Sequence, residues 1–129
     1  MEVLSSRVLL YPSDFEVSVR FYTETLGLRV YREYGTGGRV TGMVLFLGGG
    51  FLELASGRRP PEQRGFLLWI QVPDVDAEHD RLAAAGLDIA EAPADMPWGL
   101  REMELHDPDG TRLRLVEVPF GHPIRTRLS

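Results

Sequence analysis

The chain alternates between two hydrophobic periods, and it does so twice. Residues 7–11, "RVLLY", set Val8 and Leu10 against Arg7, Leu9 and Tyr11. That period of two is the mark of a strand, and Pro12 ends it. From Asp14 the period lengthens to that of a helix. Val17, Phe21 and Leu28 fit one apolar face, supported by Val19, Tyr22 and Leu26. Ser13 or Asp14 can accept a bond from the first free backbone N–H groups, and Gly27 is placed to stop the helix in a left-handed conformation. Residues 28–34 return to strand, "GTGG" turns the chain, "VTGMVLFLGGG" runs from a strand into a second glycine turn, and "FLELAS" is the next strand.

The same order then repeats. "FLLWIQV" is a strand ended by Pro73, Asp74 opens the helix "DVDAEHDRLAAAGL", and Gly86 closes it. "DIAEAP", "REMELH" and "TRLRLVEV" are strands, with the loop "ADMPWGL" and the turn "DPDG" between them. Asp74 stands 60 positions after Asp14, and Gly86-Leu87 stands 59 after Gly27-Leu28. A period of this size implies duplication of one small βαβββ unit. Neither unit alone can cover both faces of its sheet, so the two are expected to join. The expected fold class is α+β, two βαβββ modules with eight strands and two main helices. Residues 1–57 form the first module, 58–65 a polar, proline-rich linker, 66–118 the second module and 119–129 a C-terminal tail, within one compact domain overall.

Composition narrows the function. Net charge is −5 and the arginines are scattered, clustering only at Arg58-Arg59; nucleic-acid binders show a basic stripe instead. No apolar run approaches the ~20 residues of a membrane helix, and the opening "MEVLSSRVLLYPSDFE" is a poor signal peptide. Without cysteine there is no disulfide framework, thiolate zinc site or cysteine nucleophile, which fits a reducing cytoplasm. His79, His106 and His122 lack metal-ligand spacing, and the glycine runs read as hairpin turns, not phosphate loops. No Ser-His-Asp arrangement is recognisable.

Taken together, "DFEVSVRFYTETLGL", "VDAEHDRLAAAGL" and "PWGLREMELHDPDGTRLRLVE" resemble the vicinal-oxygen-chelate superfamily, which holds glyoxalase I, bleomycin-resistance proteins and extradiol dioxygenases. The resemblance covers residues 7–117. It implies paired βαβββ modules forming a curved mixed sheet around a cup, helices on the convex side, and a homodimer. Metal-dependent members place four ligands in that cup, from the first and last strands of each module. The matching positions here are Arg7, Glu53, Leu67 and Arg114. An arginine has no free lone pair at neutral pH and leucine has no donor atom, whereas zinc needs three or four ligands. No metal and no other cofactor is therefore expected.

Strand alternation supports the same set without the resemblance. Arg7 and Tyr11, Phe51 and Glu53, then Leu67, Trp69 and Gln71, and finally Arg112 and Arg114, each share a mixed face opposite purely aliphatic neighbours. The mixed face is expected to line the cup. A sheltered arginine needs a partner, and a trio Arg7–Glu53–Arg114 would leave one positive charge for a ligand carboxylate, phosphate or phenolate. Trp69 and Tyr11 would supply flat surfaces, Phe51 and Leu67 apolar wall, and Trp98 an indole at the mouth. The same cluster could be a structural ion pair replacing a lost metal, and the two roles are compatible. The leading expectation is a metal-free protein of the glyoxalase/bleomycin resistance type that holds an aromatic or anionic small molecule. Two alternatives stand beside it. One is a glyoxalase-like lyase, isomerase or dioxygenase with a non-standard site: either a metal site away from those four positions, or metal-free acid–base work by Glu53 or Tyr11. The other is a module whose cup is filled by its own side chains.

Overall fold

The computed structural model describes residues 1–57 and 65–123. Of the expected linker, residues 58–64 lie outside the described residues, as do residues 124–129 of the expected tail. The chain divides into two compact units, Met1–Glu62 and Gln63–Ser129. The class is α+β, and the two units repeat one plan.

In unit 1, strand β1 (Arg7–Leu10) leads into helix α1 (Phe15–Arg20), then β2 (Val30–Thr36), β3 (Arg39–Leu47) and β4 (Gly50–Ala55). The sheet order is β1-β4-β3-β2. The β1–β4 pair is parallel and the others antiparallel. In unit 2, β5 (Leu68–Gln71), α2 (Val75–Ala84), β6 (Ile89–Asp95), β7 (Arg101–His106) and β8 (Arg112–Glu117) follow. The order is β5-β8-β7-β6, again with one parallel pair, β5–β8. Each sheet is open and four-stranded. Pro93 falls in β6, an edge strand, where a missing N–H leaves no central ladder bond unmade.

The helix caps are those the sequence dictates. The Asp14 carboxylate accepts the Val17 N–H at 3.1 Å, and Asp74 accepts that of Ala77 at 3.0 Å. Gly27 at φ 80° and Gly86 at φ 88° take the left-handed conformation that costs other residues a steric clash. Between cap and glycine, unit 1 holds one residue more than unit 2. The difference appears as a π-helical segment, Phe21–Thr25, continuing α1, with the Leu26 N–H bonded to the Phe21 carbonyl. One extra residue inserted into a helix produces such a wider turn. It leaves the adjacent Phe21 and Tyr22 both buried, edge to face with ring centroids 5.1 Å apart.

The aliphatic face of each sheet is buried. Met43, Leu45, Leu52 and Leu54 form the core of unit 1 with Phe21 and Tyr22, and α1 lies against β4. In unit 2, Val75 and Leu82 of α2 are buried with Met103, Leu105, Leu113 and Leu115, and the helix contacts β6, β7 and β8. Truncating any of the fully buried leucines to alanine costs about 2–5 kcal/mol in such a core. No helix among the described residues is long and apolar enough to cross a membrane.

Candidate functional site

With the aliphatic faces committed to the cores, the mixed faces carry whatever chemistry the protein has. In unit 1 the register places Val44 opposite Glu53 and Phe46 opposite Phe51. Tyr34 pairs with Gly42 on the other side of β3. A Cβ on Gly42 would overlap the Tyr34 ring, so only glycine lets that ring lie across the strand. Seated there, the Tyr34 hydroxyl donates to Glu53 Oε2. The other carboxylate oxygen accepts from Arg7 Nη1 at 2.6 Å. Glu53 is 14% exposed and Arg7 42%.

These bonds set the protonation of the group. Donation from Tyr34, and then from Arg7, holds the Glu53 carboxyl below its ordinary pKa, against some desolvation. The same bond to Glu53, helped by burial, pushes the Tyr34 phenol above its usual value. The Arg32 guanidinium lies 5.5 Å from the Tyr34 ring centroid, and that of Arg7 lies 5.9 Å from Phe51, both within cation–π range.

Beside this polar group lies an aromatic shelf. β2 carries a bulge, Val30 and Arg32 pairing with consecutive residues of β3. The extra residue, Tyr31, is thereby turned onto the mixed face. Its ring stacks on Phe51 at 5.0 Å and tilts against Phe46 at 5.1 Å. Tyr31 is 52% exposed and Phe46 43%.

Unit 2 fills the same positions differently. Glu104 lies opposite Arg114 and His106 opposite Arg112. Glu104 accepts from Arg112 Nη2 at 2.8 Å, from Arg112 Nε at 3.1 Å and from Arg114 Nη2 at 2.8 Å, with His106 Nε2 at 3.0 Å. Those partners, Arg112 foremost, bring the buried Glu104 carboxyl down to about 2. The buried Glu102 accepts from Trp98 Nε1 at 2.7 Å and stands 3.5 Å from Arg114 Nη1. His106 and Arg112 occupy the places that Phe46 and Phe51 hold in unit 1, so a charge network stands where the other unit has rings.

Of the expected trio, Arg7 and Glu53 pair within unit 1, and Arg114 has partners within unit 2. Glu53 takes Arg7 and Tyr34, while Arg114 takes Glu104 and Glu102. Arg114 carries no surplus charge for a ligand, because two buried carboxylates face it. Trp69 and Gln71 are exposed and Leu67 and Tyr11 half-buried. Trp98 is exposed, its carbonyl 3.1 Å from His122 Nε2. Tyr31, Arg32, Tyr34, Phe46, Glu102 and Glu104 were not foreseen. Alternation along "REMELH" already puts Glu102, Glu104 and His106 on one face, and the "DPDG" turn sets them against Arg112 and Arg114.

The four positions matching the superfamily's metal ligands do not suit a divalent cation. Three lack a donor, and both oxygens of Glu53 are taken by Arg7 and Tyr34. Among the described residues, the acidic groups of Asp74, Asp76 and Glu117 come within reach of one ion. Each has other work: Asp74 caps α2, Glu117 accepts the Val75 N–H at 3.0 Å, and Asp76 pairs with Arg101.

Comparison with known proteins agrees with this geometry. Residues 5–115 match the Glyoxalase/Bleomycin resistance protein/Dioxygenase superfamily, and the chain belongs to that superfamily. Among solved structures it is similar to TioX from Micromonospora sp. ML1, at 25% identity and TM-score 0.75, covering 89% of this chain and 98% of that one. A superfamily member from Sphaerobacter thermophilus DSM 20745 matches at 25% identity and TM-score 0.70, over 90% and 98% of the two chains. A lactoylglutathione lyase from Agrobacterium tumefaciens, at 17% identity and TM-score 0.67 over 91% and 94%, shares the fold alone. No curated protein matches the chain.

Proposed function

We propose that this chain is a metal-free binding member of its superfamily, whose ligand is an aromatic or anionic small molecule received on the mixed sheet faces. The observation that carries this reading is the exposed shelf of Tyr31, Phe46 and Phe51 beside a fully engaged Glu53. Exposed stacked rings offer a flat apolar surface. A carboxylate of lowered basicity and a phenol of lowered acidity are poor proton carriers at neutral pH. That weighs against acid–base turnover at Glu53. Arg7, Tyr11, Phe51 and Glu53 are the proposed ligand-facing positions of unit 1, and Leu67, Trp69, Gln71, Trp98 and Arg114 those of unit 2, each on its own unit's face. The superfamily resemblance and a cysteine-free sequence support reading it as a cytoplasmic homodimer.

Calorimetric titration with a panel of small aromatic acids, with and without EDTA, tests the reading alongside elemental analysis of the purified protein. Binding unaffected by EDTA, and weakened by Phe46→Ala, is expected. One transition metal per chain, or a panel that fails entirely to bind, would overturn it.

A further inference from the structure

We propose that Arg32 is an anion anchor set beside the aromatic shelf, and that together they select an aromatic ring joined through a spacer to a carboxylate or similar acid; this rests on the reading of that face as a receptor. The Arg32 side chain is exposed, and among the described residues it makes no hydrogen bond or ion pair. It is instead held by its stack on Tyr34, which Gly42 seats and Glu53 fixes. A guanidinium held by its face keeps its N–H edge free for an acceptor.

The local charge points the same way. Two guanidinium groups, Arg7 and Arg32, act on one carboxylate, Glu53. Arg7 bonds it directly through Nη1, leaving the second positive charge over. Glu33, the carboxylate next to Arg32 in the chain, pairs with Met43 and so belongs to the opposite, aliphatic side of the sheet. An anion arriving at Arg32 meets an unmatched cation, whereas a cationic ligand is repelled.

The register supplies the spacing. Arg32 lies opposite Val44, and Phe46 is two residues further along that strand, so Arg32 and Phe46 are diagonal neighbours with backbone positions about 7–8 Å apart. Benzoate, with its acid directly on the ring, is too short to use both groups well. An arylalkanoate or a fused-ring acid spans them.

The test is calorimetry at low salt with three probes: 3-phenylpropionate, its neutral amide, and benzoate. The propionate is expected to bind about tenfold more tightly than the amide and more tightly than benzoate. Arg32→Gln should remove the preference for acid over amide while leaving amide affinity unchanged, and Arg32→Lys should keep part of it. Equal binding of acid and amide, or a preference that survives Arg32→Gln, would refute the anchor while leaving the receptor standing. If neither acid nor amide binds, both readings fail.

Discussion

The two units share one topology and one register, yet their mixed faces are opposites. Around Glu53 unit 1 gathers Arg7 and Tyr34 and leaves the exposed rings of Tyr31 and Phe46 stacked about a half-buried Phe51. Around Arg114, the matching position, unit 2 gathers Glu102 and Glu104, and His106 and Arg112 join the network where unit 1 has rings. An acid at the centre has become a base, and rings have become ions. The aliphatic faces differ little, because both must fill a core. What duplication leaves free to diverge is the side the core does not need. One copy carries the face proposed here to receive a ligand, and the other is internally neutralised.

Breaking the closed network should have the largest effect. Glu104→Ala leaves Arg112 and Arg114 without their shared partner and should destabilise the protein by about 2–3 kcal/mol in urea denaturation, since Arg112 is half exposed and Arg114 keeps Glu102. A loss below about 1 kcal/mol would mean that water, not the protein, satisfies those charges. The same carboxylate sets an acid limb. Its pKa is about 2 when folded against an ordinary 4.5, so its contribution is present above about pH 4.5 and disappears as pH falls through 2. Stability measured across that window should fall, and Glu104→Ala should flatten the fall.

Unit 1 should yield less. Gly42→Ala drives a methyl group into the Tyr34 ring and should cost about 1–3 kcal/mol, with loss of the Tyr34 to Glu53 bond visible in the Tyr34 ring signals. Glu53→Gln should cost about 1–2 kcal/mol, because Arg7 is substantially exposed and water replaces part of the lost pairing. Arg32→Gln should change thermal stability by under about 0.5 kcal/mol, since its expected role is toward a ligand. A cost for Arg32→Gln equal to that of Glu104→Ala would erase the contrast between the units.

Much of this plan was written in the chain. Asp14 and Asp74, Gly27 and Gly86, and the alternating strands gave both units, because caps and strand period act locally. The change in spacing from 60 to 59 also marked the single extra residue that became the π-helical turn. The pairing of Glu53 with Arg7 was legible from alternation on adjoining strands. Tyr31 was not, since a bulge moves it to the face that strict alternation denies it, and bulges arise from strand pairing. Tyr34 was hidden for a similar reason: its reach to Glu53 depends on a glycine across the sheet. The partners that Arg114 finds within unit 2, Glu102 and Glu104 on β7, were not foreseen, because the sequence does not say which strands adjoin.

The central claim is that the open aromatic face of unit 1 is a receptor. Titrating 3-phenylpropionate while following aromatic ¹H–¹³C signals by NMR tests it most directly. The account expects the largest shifts at the rings of Tyr31, Phe46 and Phe51, saturating with one affinity. Shifts confined to the indoles of Trp69 and Trp98, with those three rings unmoved, would contradict it.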